Sequence, residues 1–319
     1  MGPQNGFENN KRPLFPVVDV VIPYYNGFEY LKLAISSVLT QSFKEFRLTV
    51  IDDGTGDIRV EKYIKELNDS RITYECNPKN LGLQGNFEKS RLTISAEWGV
   101  ILGHDDLLLP DYLMEMLAKA EKFPSSGIIQ PLVDVINYDG KVINTLVDSA
   151  KKQIRNLTIF VTRLRHLKSW RNEDTLVPSE LAIKAIMIGD FLYFPTLMWK
   201  NEYLRRHKFR QDLYVTLDIE MIISLLQAGA DLLLIDKPLA QYRRHSASTS
   251  GNPDNKISRL SEETALYAEF SRVFKGNRTL WLLSTLHLST RFYSLVESFK
   301  AISQFKFRLA VKFLILASK

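Results

Sequence analysis

One cysteine, Cys76, in 319 residues excludes an intrachain disulfide and points to a reducing compartment. Cys76 itself reads as a residue that packs or caps a strand end rather than one that performs chemistry. Long apolar runs are also missing. Each hydrophobic stretch meets a charge before reaching the ~20 residues that a membrane-crossing helix needs, so no transmembrane helix is expected. No apolar segment follows Met1 to Arg12, so no signal peptide is expected and residues 1–16 read as a flexible lead-in. Neither a Walker pattern nor G-x-G-x-x-G occurs, so a bound diphosphate would be neutralised by metal and basic side chains. Repeats and low-complexity segments are absent. Acidic residues are absent from two stretches: 151–171 holds seven basic residues and 300–319 holds five. Such clusters suit a phosphate-rich surface (nucleic acid, anionic lipid or a diphosphate-linked acceptor), or else a solvated helix face.

What is present is a sizeable core, with 45% apolar residues, and an alternation of elements. Val17 to Ile22, Phe46 to Ile51, Ile72 to Glu75 and Trp98 to Leu102 read as strands. Between them, Leu31, Ala34, Ile35, Val38 and Leu39 recur at helical spacing, Val60 to Leu67 reads as a helix, and the turn-rich Asn80 to Asn86 opens another that runs through Ser95. Pro110 opens a helix over Asp111 to Lys122, and Gly127 to Ile129 begins a further strand. This pattern predicts an α/β fold with a mostly parallel sheet covered by helices. Beyond residue 150 a basic helix, a strand candidate at Phe191 to Trp199, a helix from Asp218 to Ala228 and a strand at Leu232 to Ile235 are expected. Tyr242 to Pro253 reads as a loop able to fold over a ligand, and everything from Ile257 onward as helix. The expected divisions are a 17–255 catalytic domain, with halves 17–130 and 131–255, and a helical region 256–319.

Two acidic pairs follow strands: Asp52-Asp53-Gly54 and Gly103-His104-Asp105-Asp106. Ligands of open α/β sheets bind beyond the carboxyl ends of the strands, where strand order reverses. Paired carboxylates there invite a donor-rich nucleotide and a hard divalent cation such as Mg²⁺ or Mn²⁺. An Asx turn at Asp52-Asp53 and helix capping at Asp105-Asp106 are the plainer alternatives. A phosphatase-type Asp-x-Asp-Gly-Thr is ruled against by Ile51, which stands where the nucleophile belongs. Pro23-Tyr24-Tyr25-Asn26 ends the first strand with groups able to hold a base. Asp218 starts a helix as either cap or general base. Arg243, Arg244 and His245 offer phosphate or metal contacts, or form a solvated basic turn.

In order, these pieces resemble an inverting nucleotide-sugar glycosyltransferase of the GT-A family 2, over roughly residues 17–250. The resemblance rests on Val20 to Asn26, the Ser-Val-Leu-Thr-Gln helix end at Gln41, Asp52-Asp53-Gly54, Asn80-Leu81-Gly82, Asp105-Asp106 with Pro110, Pro195-Thr196, Asp218 and Tyr242 to Ser246. It implies a GT-A fold with a carboxy-terminal helical extension. It also implies nucleotide-sugar contacts from Pro23, Tyr25, Asn26, Asp52, Asp53, Asn80, Gly82, Asp105, Asp106, Arg243 and Arg244. Mn²⁺ or Mg²⁺ would be held by Asp106, Asp105 and His245, and Asp218 would act as base. Two positions depart from the family: Gly103 replaces the first carboxylate of D-x-D, and Leu217 the acid that commonly precedes the base. The implied reaction moves a sugar, from UDP by preference, to a glycan or polyprenyl-diphosphate-linked acceptor in bacterial surface polysaccharide synthesis, with no nucleic-acid partner. A sugar nucleotidyltransferase and a non-catalytic carbohydrate- or nucleic-acid-binding protein are the alternatives. The carboxy-terminal residues Trp281 to Leu316 interleave aromatics with lysine and arginine. From the sequence alone they fit an anionic membrane surface, contacted by 278–319 from the cytoplasmic side, or a packed bundle or homodimer.

Overall fold

The structure, a computed structural model, describes residues 17–166, 174–245 and 253–318. Strands β1 (Val18–Tyr24), β2 (Phe46–Asp52), β3 (Ile72–Cys76) and β4 (Trp98–Ile101) alternate with α1 (Phe28–Leu39), α2 (Ile58–Leu67) and α3 (Gly82–Thr93). They lie in the order β3-β2-β1-β4, all parallel. Next come β5 (Leu107–Leu108), α4 (Tyr112–Lys122), β6 (Ser126–Ile136), α5 (Leu146–His166), β7 (Thr175–Val177) and α6 (Ser179–Ile188). They are followed by β8 (Met198–Lys200), α7 (Asn201–Leu204), α8 (Leu217–Gln227) and β9 (Asp231–Arg243). Antiparallel β8 joins β4 to β6, β9 runs parallel to β6, and β5 and β7 pair antiparallel with β9. Helices α9 (Pro253–Val273), α10 (Arg278–Leu286), α11 (Leu288–Ser303) and α12 (Phe307–Ser318) complete the chain.

The sheet is covered on both faces, and the period-2 alternation of β1 shows how. Val18, Val20 and Ile22 pack with Leu31, Ile35 and Val38 of α1 and Leu113 and Met116 of α4. Val21 faces the other way, into a core shared with α6, α8 and α9. Gln41, buried at the end of α1, donates to Ser37 O and Leu109 O and accepts from Leu113 N. That side chain fixes the start of α4 against α1.

Three expectations are corrected. Phe191 to Trp199 is not one strand: Phe194–Thr196 forms a 3₁₀ turn and only Met198–Lys200 joins the sheet. Pro195 supplies no ladder donor, and Gln130 holds the turn by accepting from Tyr193 N and donating to Thr196 Oγ1. Tyr242 and Arg243 belong to β9 rather than a loop, because the pairing with β6 continues to Ile136 opposite Arg243. Leu83 to Asn86 are already helical, since the turn at Asn80 to Gly82 starts α3 directly. Most of the expected lid, 246–252, lies outside the described residues.

Candidate active site

The order β3-β2-β1-β4 places the topological switch between β1 and β4, where open α/β sheets form their ligand crevice. Leu102 N donates to Val21 O, the last contact before β4 departs from β1. By strand alternation Pro23 faces the same side one step later, where no ladder partner remains, so its missing N–H costs nothing. Tyr25 and Asn26 then project into solvent, with Tyr25 53% exposed. Gly27 follows at φ 82°, and a Cβ there would lie 3.1 Å from His104 Nε2. The His104 ring packs edge-on to Tyr24, and burial lowers its pKa. It supports the turn rather than facing a ligand.

The first acidic pair is satisfied from within. Asp52 is fully buried and accepts from Thr55 N, Thr55 Oγ1 and Tyr74 Oη at 2.7–2.8 Å. Asp53 Oδ1 accepts from Leu81 N at 2.8 Å and Asn77 Nδ2 at 3.1 Å. Asn77 also donates to Asn86, whose own amide donates to Ile51 O. Asn80 Oδ1 accepts from Gly82 N, and Gly82 sits at φ 74°. Gly54 lets these segments meet: a Cβ would stand 2.4 Å from the Lys79 carbonyl carbon. Asp53 and the 77–86 segment therefore form one braced wall, with the Asn80 side chain exposed on it.

The second pair has few donors. Asp106 is buried and accepts from Arg243 N at 2.8 Å. Burial, and then the charge of Asp105, push its pKa well above the carboxylate range against the pull of Arg243. Burial also works against ionisation of Asp105, but the hydrogen bond from His245 and the nearby His104 outweigh it and hold that carboxyl low. His245 Nε2 lies 2.8 Å from Asp105 Oδ2, and its ring stacks on Tyr30. Gly103 has a steric reason here: a Cβ would fall 2.3 Å from Asp106 Oδ2. Asp106 thus fills the space that a side chain at 103 would need.

The basic residues divide their roles. Arg243 donates to the carbonyls of Asp105, Asn137 and Tyr138 and lies over Tyr30, so its guanidinium ties β9 to the loop after β4. Arg244 pairs with Asp148 at 2.6 Å, and Asp148 also accepts from Tyr193 Oη and Thr145 Oγ1. Tyr193 in turn packs against Tyr242.

Asp218 sits half-buried in the first turn of α8. Burial and the Asp190 carboxylate push its pKa up to about 6, against Arg259, the Ile219 N–H and Lys151. Asp190 pairs with Lys151 at 3.1 Å, and Arg259 lies 3.8 Å from it. The approach to α8 is fixed by Glu262 of α9, whose Oε2 accepts from Tyr214 N, Val215 N and Thr216 N. Contacts run from Asp190 through Lys151, Tyr193 and Asp148 to Arg244, next to Arg243 and His245, and the charge of Asp190 acts on Asp218.

The structure brings Asp105, Asp106, Arg243 and His245 together, and likewise Asp53, Asn80 and Gly82. Sequence reading missed Asn77, Asn86, Tyr30, Asp148, Lys151, Asp190 and Arg259. The only signals for them were polar residues inside helical patterns and an acid within an apolar run. Among the described residues no three His, Cys, Asp or Glu side chains converge on a point fit for a metal. The Asp105-Asp106 pair still fits a hard divalent ion, which keeps several waters and takes one or two protein carboxylates.

Residues 19–169 match Glycosyl transferase family 2. An uncharacterized glycosyltransferase of Methanocaldococcus jannaschii is 24% identical over 88% of this chain and 87% of its own length. Another, from Rickettsia typhi, is 24% identical over 85% of this chain and 77% of its own. The structure of S. aureus TarS 1–349 in complex with UDP-GlcNAc aligns with TM-score 0.58 at 13% identity, covering 94% of this chain and 90% of that one. The chain therefore has a GT-A-like fold, and its residues 19–169 are similar to Glycosyl transferase family 2.

Proposed function

We propose that this protein transfers a sugar from a nucleotide-diphosphate donor, with UDP favoured, to a hydroxyl of a glycan or lipid-linked acceptor, inverting the anomeric centre. The observation that carries this reading is Asp218, a half-buried carboxyl in the first turn of α8 that burial and the Asp190 charge push up to about 6. A base with a pKa near the working pH is both ionised and able to take a proton. As the acceptor oxygen bonds to the anomeric carbon, the carbon–oxygen bond to the diphosphate breaks and Asp218 takes the hydroxyl proton. Base assistance of this kind supplies ~10²–10⁴-fold. Tyr25, Asn26 and the wall around Asp53 and Asn80 receive the nucleoside. Asp105 and Asp106 would hold Mn²⁺ or Mg²⁺, with His245 engaged by Asp105 beside them. Such an ion offsets negative charge on a departing diphosphate. The UDP preference draws on the UDP-GlcNAc complex of TarS.

The test is a thermal-shift panel of UDP, dTDP and GDP and their sugar conjugates, with and without Mn²⁺, beside an Asp218→Asn variant. Metal-dependent stabilisation by UDP conjugates in both proteins, with transfer lost only in the variant, supports the reading. No stabilisation of the folded wild-type chain by any of these nucleotides overturns it.

A further inference from the structure

The net charge of +6 resides entirely at the carboxy terminus. Residues 278–319 hold seven lysines and arginines and one acid, Glu297, whereas residues 1–277 hold 35 of each sign. The helices that carry this charge are also apolar on the wrong side. In α12, Ala310, Phe313 and Leu316 are buried, and Phe313 and Leu316 pack against Leu260 of α9. The opposite face presents Phe307, Val311, Leu314 and Ile315, all exposed. In α11, Phe292, Leu295, Phe299 and Ile302 form a second exposed stripe at helical spacing, with Phe292 70% and Phe299 69% exposed. Phe305, in the turn between these helices, is 82% exposed. A surface helix of a globular protein normally turns a polar face outward, and an apolar surface of this extent marks a binding site.

Length excludes a spanning role. At ~1.5 Å per residue α11 reaches about 24 Å and α12 about 18 Å, short of the ~30 Å hydrocarbon core, and no helix among the described residues is long and apolar enough to cross a membrane. Around the stripes, Lys306, Arg308 and Lys312 are exposed and have no ion-pair partner among the described residues. Exposed aromatics ringed by unpaired cations match the two components of an anionic bilayer surface, acyl boundary and headgroup.

We infer that α11 and α12, with the turn between them, lie in the interface of an anionic lipid membrane, Phe292, Phe299 and Phe307 inserted and Lys306, Arg308 and Lys312 at the headgroups. Glu262 and Arg259 of α9, the helix against which α12 packs, also meet the residues around α8 and Asp190, which links the tail to the candidate site. The inference stands on the tail alone and does not require the proposed transfer reaction.

The experiment is cosedimentation of the full chain with vesicles of phosphatidylcholine, alone or mixed with phosphatidylglycerol. Binding only to the anionic vesicles, weakened by salt, is expected. Each near-surface basic residue contributes about fivefold to partitioning. The combined Lys306→Glu, Arg308→Glu and Lys312→Glu variant should therefore lose at least ~100-fold. Phe292→Gln with Phe299→Gln and Phe307→Gln should also abolish binding while leaving the melting temperature unchanged, because these side chains are exposed. A folded wild-type chain that ignores anionic vesicles overturns the inference. So does a Phe triple variant that still binds them, or a lipid-indifferent dimer that the Phe triple splits.

Discussion

Asp52-Asp53 and Asp105-Asp106 look alike in sequence, each an acidic pair closing an apolar strand, yet the protein treats them in opposite ways. Asp52 is surrounded by donors from Thr55 and Tyr74, and Asp53 by Leu81 and Asn77. Asp106 has one backbone donor, and burial, then its neighbour's charge, raises its pKa well above the usual range. The first pair builds a wall by organising backbone. The second pair is left short of positive charge at the switch point, which is where a cation and a diphosphate would supply it.

The largest expected effect separates the pairs by activity. Asp105→Ala removes the partner of His245 and the carboxylate held ionised beside the crevice. Transfer measured at saturating donor should fall at least ~10²-fold, as when one preorganised electrostatic group is removed, with the thermal midpoint little changed. A variant that retains near-normal turnover would break the contrast.

Stability should divide the pairs in the reverse direction. Asp52→Ala leaves Thr55 N and Tyr74 Oη without their buried acceptor and should cost ~2–3 kcal/mol in urea unfolding. Asp106→Asn keeps an oxygen for Arg243 N and relieves the repulsion with Asp105. Its urea midpoint, taken in chelator, should stay within ~1 kcal/mol of wild type or rise. Equal losses in both variants would show that the two pairs are equally structural.

A smaller effect sharpens the account of the wall. Gly54 and Gly56 both have positive φ, at 76° and 60°, but only Gly54 has neighbours where a Cβ would go. Gly56→Ala should cost about 1 kcal/mol for backbone strain alone, and Gly54→Ala clearly more. Paired thermal melts of the two variants measure the difference.

The sheet was legible because its strands announce themselves. The runs Val18 to Ile22, Phe46 to Ile51 and Trp98 to Ile101 are buried on both faces, and turns with glycine or asparagine separate them from helices of clear periodicity. Phe191 to Trp199 misled because apolar composition does not distinguish a strand from a buried turn, and the bonds from Gln130 that decide the matter come from 63 residues away. The acidic pairs could be located but not told apart, since donors such as Asn77 and Tyr74 arrive from other elements. Asp190 was invisible for the same reason. Nothing next to it in sequence says that its charge will act on Asp218, the proposed base, whose preceding residue Leu217 carries no acid.

Burial, and then the charge of Asp190, set the pH behaviour of Asp218. With Asp218 as the proposed base the active form is the carboxylate, so transfer should fall about tenfold per pH unit below about 6 and level off above it. The linked stability runs the other way. The folded state binds this proton more tightly than the unfolded chain, in which the group titrates near 3.8. Asp218 therefore weakens the fold progressively as pH rises from about 4 to about 6, and the penalty is constant above that range. Asp218→Asn should accordingly melt higher than wild type at pH 8, by about 1 kcal/mol once solvent screening is allowed for, and no higher at pH 4. Replacing Asp190 with Asn should remove part of both effects, moving the kinetic pKa downward while transfer at pH 8 persists. A kinetic pKa that ignores Asp190, or an Asp218→Asn protein that is less stable at pH 8, would place the origin of the tuning elsewhere.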